Sequence, residues 1–289
     1  MTAALRRNSI LAALFAAIFW GGSFPIVKFG LRFFKPLWFL DLRLVLAFLA
    51  MFVFLQNKRN FWRFPKEIWW LGALNAAGYI FQYFGMERTT AGKAAFFVNI
   101  NVVFVVFLAH FFFKEKLQWE KYGAMILMLV GIYLLSTKGA GVTDLFHGST
   151  FGNLLVLSAG ISWAFFIIVA KKILDKPSSR VFRVVTAYVF TTIIFVTPIA
   201  MIFEPFPGHF GATEITILSV TALFFTVVPF YFWSVSLRGL TATLTSFLTL
   251  SETIFALILS VAFLGERLQP VEMVGAFLLL LSIFAASVR

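Results

Sequence analysis

The chain repeats itself, and the repeat limits what it can fold into to two copies of one unit. Residues 81–118 align without a gap on residues 232–269, 151 positions later. Identical pairs include Thr90 and Thr241, Ala91 and Ala242, Phe96 and Phe247, Phe104 and Phe255, Glu115 and Glu266, and Gln118 and Gln269. Upstream the match continues at an offset of 143, pairing Leu11 with Leu154, Ala16 with Ala159, Trp20 with Trp163 and Lys28 with Lys171. Self-similarity over such lengths marks duplication of a structural unit. The linker near 138–150, with Gly139, Gly141, Asp144 and Gly148, divides the chain into a first repeat, 1–140, and a second, 150–289.

Each unit belongs in lipid. Hydrophobic residues make up 61% of the chain and charged ones only 12%, more apolar surface than a soluble domain buries. A bilayer core about 30 Å thick takes about 20 mostly apolar residues per helix. Ten such stretches run near 8–28, 36–56, 67–86, 91–113, 119–137, 151–171, 180–202, 213–236, 241–263 and 270–288, five in each repeat. The expected fold is all-α: ten transmembrane helices as two five-helix repeats. An odd number of spans makes the second copy enter the membrane from the opposite side, so the repeats are expected to be inverted. Inverted repeats are a common plan of secondary transporters, with the solute site near the midplane between the halves.

Lys and Arg set the orientation. With a cytoplasmic amino terminus, sixteen of the 24 fall on the inner side and seven on the outer, while Arg43 lies within a span. Both termini are therefore expected to be cytoplasmic in a multi-pass protein of the cell (inner) membrane. The apolar run after Arg6 and Arg7 continues past Trp20 without a small-residue cleavage pattern, so the first stretch is expected to stay as a span. The formal charge of +12 is spread over short loops, which argues against a nucleic-acid partner. The absence of cysteine excludes disulfides and thiolate metal sites. No His-Glu-x-x-His, no phosphate-binding Gly-rich loop and no metal-ligand cluster occurs, so neither an enzyme nor a cofactor is expected.

The paired helix endings Phe-Lys-Glu-Lys-Leu at 113–117 and Leu-Gly-Glu-Arg-Leu at 264–268, each followed by an apolar helix with Gly123 or Gly275, resemble the drug/metabolite transporter superfamily. So do Trp-Gly-Gly-Ser-Phe at 20–24 and Ser-Trp-Ala-Phe at 162–165. More closely, the whole chain resembles the ten-helix exporters built from two EamA domains, a group that includes an aromatic amino-acid exporter. The resemblance implies a basket of helices around a central cavity lined mainly by spans 1, 3, 4, 6, 8 and 9. It also implies outward movement of amino acids or related amphipathic metabolites by alternating access. Members often carry a proline near the middle of spans four and nine; here Val102 and Thr253 stand there.

Polar side chains at membrane depth are costly in lipid and usually face a bundle interior or water. Asn75, Tyr79, Gln82 and Tyr83 fall at i, i+4, i+7 and i+8, one face of the third span, extended by Gly72. Shifting by 151 gives Thr226, Phe230, Trp233 and Ser234 on the eighth. The two faces would wall a cavity with flat apolar surfaces and a few hydrogen-bonding tips, unless they serve helix contacts or an interfacial belt. Trp20 and Trp163 are equivalent positions on spans one and six, flanked by Ser23, Ser158 and Ser162, and read as aromatic walls or gates.

Glu252 lies near the centre of the ninth span, and its repeat partner is Asn101. A carboxylate there could bind a substrate amine, couple transport to protons, or simply bond across the bundle. Asn99 and Asn101 point about 200° apart on a helix, so one alone can face the cavity, and Asn101 is the choice. Asp41 and Arg43, two residues apart, cannot face each other and are expected to snorkel to the interface. Lys28 and Lys171 read as helix-end anchors, Glu115 and Glu266 as loop or cap residues. The substrate-binding set is thus Trp20, Asn75, Tyr79, Gln82, Tyr83, Asn101, Trp163, Phe230, Trp233 and Glu252, with Glu252 also the coupling candidate. The expected partners are a small-molecule solute and the lipid bilayer. Because one chain holds both copies, a monomer is expected.

Overall fold

The computed structural model describes residues 3–287 except 57, 140, 147, 148, 209 and 266, and among these there is helix and no strand. The first half contains α1 (Ala3–Gly30), α2 (Pro36–Val53), α3 (Glu67–Met86), α4 (Ala91–Asn99), α5 (Asn101–Phe113) and α6 (Trp119–Thr137). A short α7 (Val142–Phe146) precedes the second half, which contains α8 (Thr150–Leu174), α9 (Val181–Phe203), α10 (Ala212–Ala222), α11 (Val228–Gly239), α12 (Ala242–Thr249), α13 (Ser251–Leu264) and α14 (Pro270–Ser287).

Among the described residues, nine helical segments are long and apolar enough to cross a membrane. The tenth expected span is α3, which has the length, 20 residues, but falls below that hydropathy because Asn75, Gln82 and its glycines and tyrosines dilute it. Its ends coincide with the expected 67–86. Polarity is what a helix facing an internal cavity needs, and it leaves α3 the weakest lipid signal in the chain.

Spans four and nine are each broken in the middle. Ile100 separates α4 from α5 and Leu250 separates α12 from α13, with the backbone tightened into a 3₁₀ turn at both. There Val103 N–H donates to the Ile100 carbonyl at 2.9 Å and Thr253 N–H to that of Leu250 at 3.1 Å. Neither break uses a proline. Polar side chains turn back on helical carbonyls instead: Asn99 Nδ2 donates to Ala95 O, Thr249 Oγ1 to Thr245 O and Ser251 Oγ to Leu248 O. Such local bonds compete with the helical ladder and satisfy backbone groups where lipid offers no water. Span eight holds a further irregularity, a π turn at Leu223–Val227 just before Pro229, which cannot donate to the ladder.

The two halves interlock. Helix α3 packs mainly on α8 and α9 rather than on α2, while α11 packs on α1, and α13 also packs on α1 as α5 does on α8. Exchanging equivalent elements of the two halves leaves this pattern unchanged. Helices α6 and α14 pack intimately, with Gly131 and Gly275 each lying against the other's carbonyl. A Cβ at either position would stand 2.8 Å from that oxygen, so both sites require glycine. Gly123, in the sequence position that invited comparison with Gly275, has no neighbour.

Candidate functional site

All ten residues selected from the sequence line one cavity of about 520 Å³. That is a volume suited to a small molecule. Helix α3 contributes Asn75, Tyr79, Gln82 and Tyr83, the helical face its spacing described. Asn75 is buried and its amide donates to Thr192 Oγ1 of α9 at 3.2 Å, which fixes the head against the wall. The equivalent face of span eight is shared differently. Phe230 and Trp233 line the cavity, whereas Ser234 is buried elsewhere and Thr226 donates to the Thr221 carbonyl inside the π turn. Gly72 likewise does not extend the α3 face into the cavity, because it packs on Thr191 of α9.

The two tryptophans sit in matching surroundings. Trp163 meets Tyr79 edge-on, with centroids 5.5 Å apart, and Trp20 meets Phe230, the repeat partner of Tyr79, at 5.9 Å. Of their serine neighbours, Ser23 lines the cavity and donates to Trp20 O. Ser162 ties α8 to α3 through the Leu74 carbonyl, and Ser158 bonds within its own helix.

One end of the cavity is shut by aromatic rings. Phe166 stacks on Trp233 at 5.6 Å and meets Tyr188 edge-on, Tyr188 meets Phe230, and Trp20 lies against Trp233. Tyr188, Phe166, Phe230 and Trp233 are all buried. The other end is lined by Leu31, Pro36, Met86 and Glu87, where the loops joining α1 to α2 and α3 to α4 meet the surface. Beyond the aromatic plug, on the face bearing the start of α1, lies a second pocket lined by Arg6, Lys171, Asp175, Arg238 and Glu115. Lys171 pairs there with Asp175 at 2.7 Å at the end of α8. Glu115 Oε1 accepts from Ala242 N–H at 2.9 Å, so it caps α12 of the opposite half. Its counterpart Glu266 lies outside the described residues, as do the Lys28 side chain and Gly148.

Midway along the cavity stand the unlike partners Asn101 and Glu252. Asn101 Oδ1 is buried without a hydrogen-bond partner. Glu252 has neither a hydrogen-bond nor an ion-pair partner among the described residues for its carboxylate. Asn99 is turned away, its amide held by its own helix. Gly21 of α1 lies where α13 passes closest, since a Cβ there would stand 2.6 Å from the Glu252 carbonyl oxygen.

The expectation for Asp41 and Arg43 requires correction. Neither snorkels: both are buried within α2, because this segment packs against α9 rather than lipid. Asp41 accepts from Thr197 Oγ1 of α9 at 2.7 Å. Arg43 lines the cavity, a site residue that the sequence reading passed over. The available signal was its position, a basic residue eight into an apolar span.

Known proteins agree with this architecture. The EamA-like transporter family matches residues 7–137 and again 150–288. An uncharacterized transporter of Archaeoglobus fulgidus is 29% identical, over 98% of this chain and 87% of its own length. A probable amino-acid metabolite efflux pump of Salmonella typhimurium is 26% identical, covering 97% and 95%. An S-adenosylmethionine/S-adenosylhomocysteine transporter of Chlamydia muridarum is 23% identical, covering 88% and 83%. A solved crystal structure with only 15% identity superposes with a TM-score of 0.82 over 97% of this chain and 96% of the other, and so shares the fold. With both halves matched to one family and a cavity built between them, the chain is a multi-pass membrane protein that belongs to the EamA-like transporter family.

Proposed function

We propose that this protein is a secondary transporter that moves amino acids or related amphipathic metabolites outward by alternating access. The observation that carries the reading is the cavity walled by both halves, with aromatic rings closing one end and loops framing the other. The halves are read as inverted repeats, 1–140 and 150–289, since five spans separate equivalent elements and their packing survives exchange. With both termini cytoplasmic in the inner membrane, the plug is the inner gate and the framed mouth faces outward. Among similar proteins, the amino-acid metabolite pump and the S-adenosylmethionine transporter handle solutes with an amino-acid portion, which supports that solute class.

Purified protein reconstituted in liposomes is expected to give saturable counterflow of at least one amino acid. Absence of any saturable solute flux would instead favour a non-transporting scaffold or a scramblase.

A second reading, proton-coupled export of cationic drugs, is favoured by the lone Glu252 carboxylate. Replacing Glu252 with Gln keeps the shape and removes the ionisable group. Under coupling, uphill transport driven by a pH gradient is expected to fall at least about tenfold while exchange at equal pH persists. An unchanged pH dependence and unchanged proton movement in Glu252→Gln would eliminate coupling at this site.

A further inference from the structure

We infer that Arg43 is the anion anchor of the cavity, so that a solute binds with its carboxylate on Arg43 and its ammonium toward Glu252 and Asn101. This rests on reading the cavity as the solute site. Four observations meet here. Arg43 is only 7% exposed, yet among the described residues its guanidinium makes no hydrogen bond or ion pair, and Nε is buried without a partner. The guanidinium carbon lies over the Phe39 ring at 6.0 Å, a loose contact. A guanidinium always carries its charge and presents a planar fork matched to a carboxylate. Leaving such a group unpaired in a buried wall is expensive, which a passing anion would offset.

The complementary groups stand elsewhere on the same wall. Glu252 and Asn101 Oδ1 are acceptors without partners, suited to an ammonium. Arg43 and Glu252 do not form an ion pair with each other. Arg43 is the only basic side chain on this wall among the described residues, and of its two acids Glu87, at the mouth, is paired with Arg88 at 3.2 Å, which leaves Glu252 for the ammonium. Trp163 and Tyr79 on one side, and Trp20 and Phe230 on the other, leave apolar faces for the rest of the solute.

The test uses three probes on the full-length purified protein: L-phenylalanine, phenethylamine, which lacks the carboxylate, and 3-phenylpropionate, which lacks the amine. Binding is read by thermal stabilisation across a concentration series. Phenylalanine is expected to bind about tenfold or more tightly than either truncated probe, the range for hydrogen bonds to charged groups. Arg43→Gln is expected to abolish the preference for phenylalanine over phenethylamine while phenethylamine still binds. Arg43→Lys, which retains charge without the fork, is expected to lose several-fold of that preference, and it decides the matter should the Gln variant not fold. The inference is overturned if phenethylamine binds the unmodified protein as well as phenylalanine does, if none of the three binds, or if the preference survives both substitutions. Failure of the transport reading looks different: binding with this selectivity persists, but reconstituted protein shows no counterflow.

Discussion

Gly21→Ala is expected to cut solute flux about tenfold or more, whereas Gly22→Ala, one residue away, leaves it close to normal. In an ordinary helix interior, either change would stabilise by up to about 1 kcal/mol, since alanine is the better helix former. Their surroundings reverse the outcome. A Cβ on Gly21 would stand 2.6 Å from the Glu252 carbonyl and 2.9 Å from the Ala256 nitrogen, both backbone atoms of α13 that cannot rotate away. The same atom on Gly22 meets only side-chain carbons at 3.5 and 3.7 Å, ordinary contact distances. Overpacking of this kind costs about 1–3 kcal/mol. Here the relief available is withdrawal of α13 from α1, which carries Glu252 out of its place in the cavity. Initial-rate counterflow in liposomes, paired with the thermal midpoint of each purified variant, checks the prediction. Equal flux in the two variants would mean that the α1–α13 contact does not set the site.

Trp233→Ala is expected to be the most damaging single truncation of the cavity wall, with two separable effects. Trp233 is buried, stacked on Phe166 and in contact with Trp20, so it belongs to the plug as well as to the wall. Removing a buried aromatic of this size costs about 3 kcal/mol or more through lost contacts and the void left behind. For a chain of this length that is a drop of roughly 10 °C in the thermal midpoint. The void also joins the cavity to the charged pocket beyond the plug, lined by Arg6, Lys171 and Arg238. Coupled exchange is therefore expected to give way to a non-saturable leak of small solutes from loaded liposomes. Retention of a tight, saturable exchange in this variant would show that the gate lies elsewhere, while Trp233→Phe should restore tightness because a flat ring still covers Phe166.

Much of the candidate site was legible because helical spacing and repeat offset are arithmetic. Asn75, Tyr79, Gln82 and Tyr83 had to share a face once residues 67–86 were a helix, and an offset of 151 carried that face to Phe230 and Trp233. The same offset failed for Thr226 and Ser234. Thr226 lies within a π turn, which no periodicity rule foresees, and Ser234, one residue past Trp233 on regular helix, is buried against other helices instead. Arg43 was misplaced for a related reason. Snorkelling assumes a lipid-facing helix, and whether α2 faces lipid or α9 is a property of the assembled bundle. Breaks at Ile100 and Leu250 escaped notice because the usual marker, proline, is absent and small polar side chains do its work.

By itself the sequence determined the solvent, the number of apolar stretches, the duplication and the faces of single helices. Each follows from local composition or from fixed helical geometry, which hold before any two helices meet. Only the tertiary structure decided which faces converge, that α3 serves the opposite half, that one end of the cavity is closed by Phe166, Tyr188, Phe230 and Trp233, and that Arg43 points inward. Those are long-range matters. They depend on how closely Gly21 and α13, or Gly131 and Gly275, let helices from different halves approach, and such distances are settled by packing across the whole bundle.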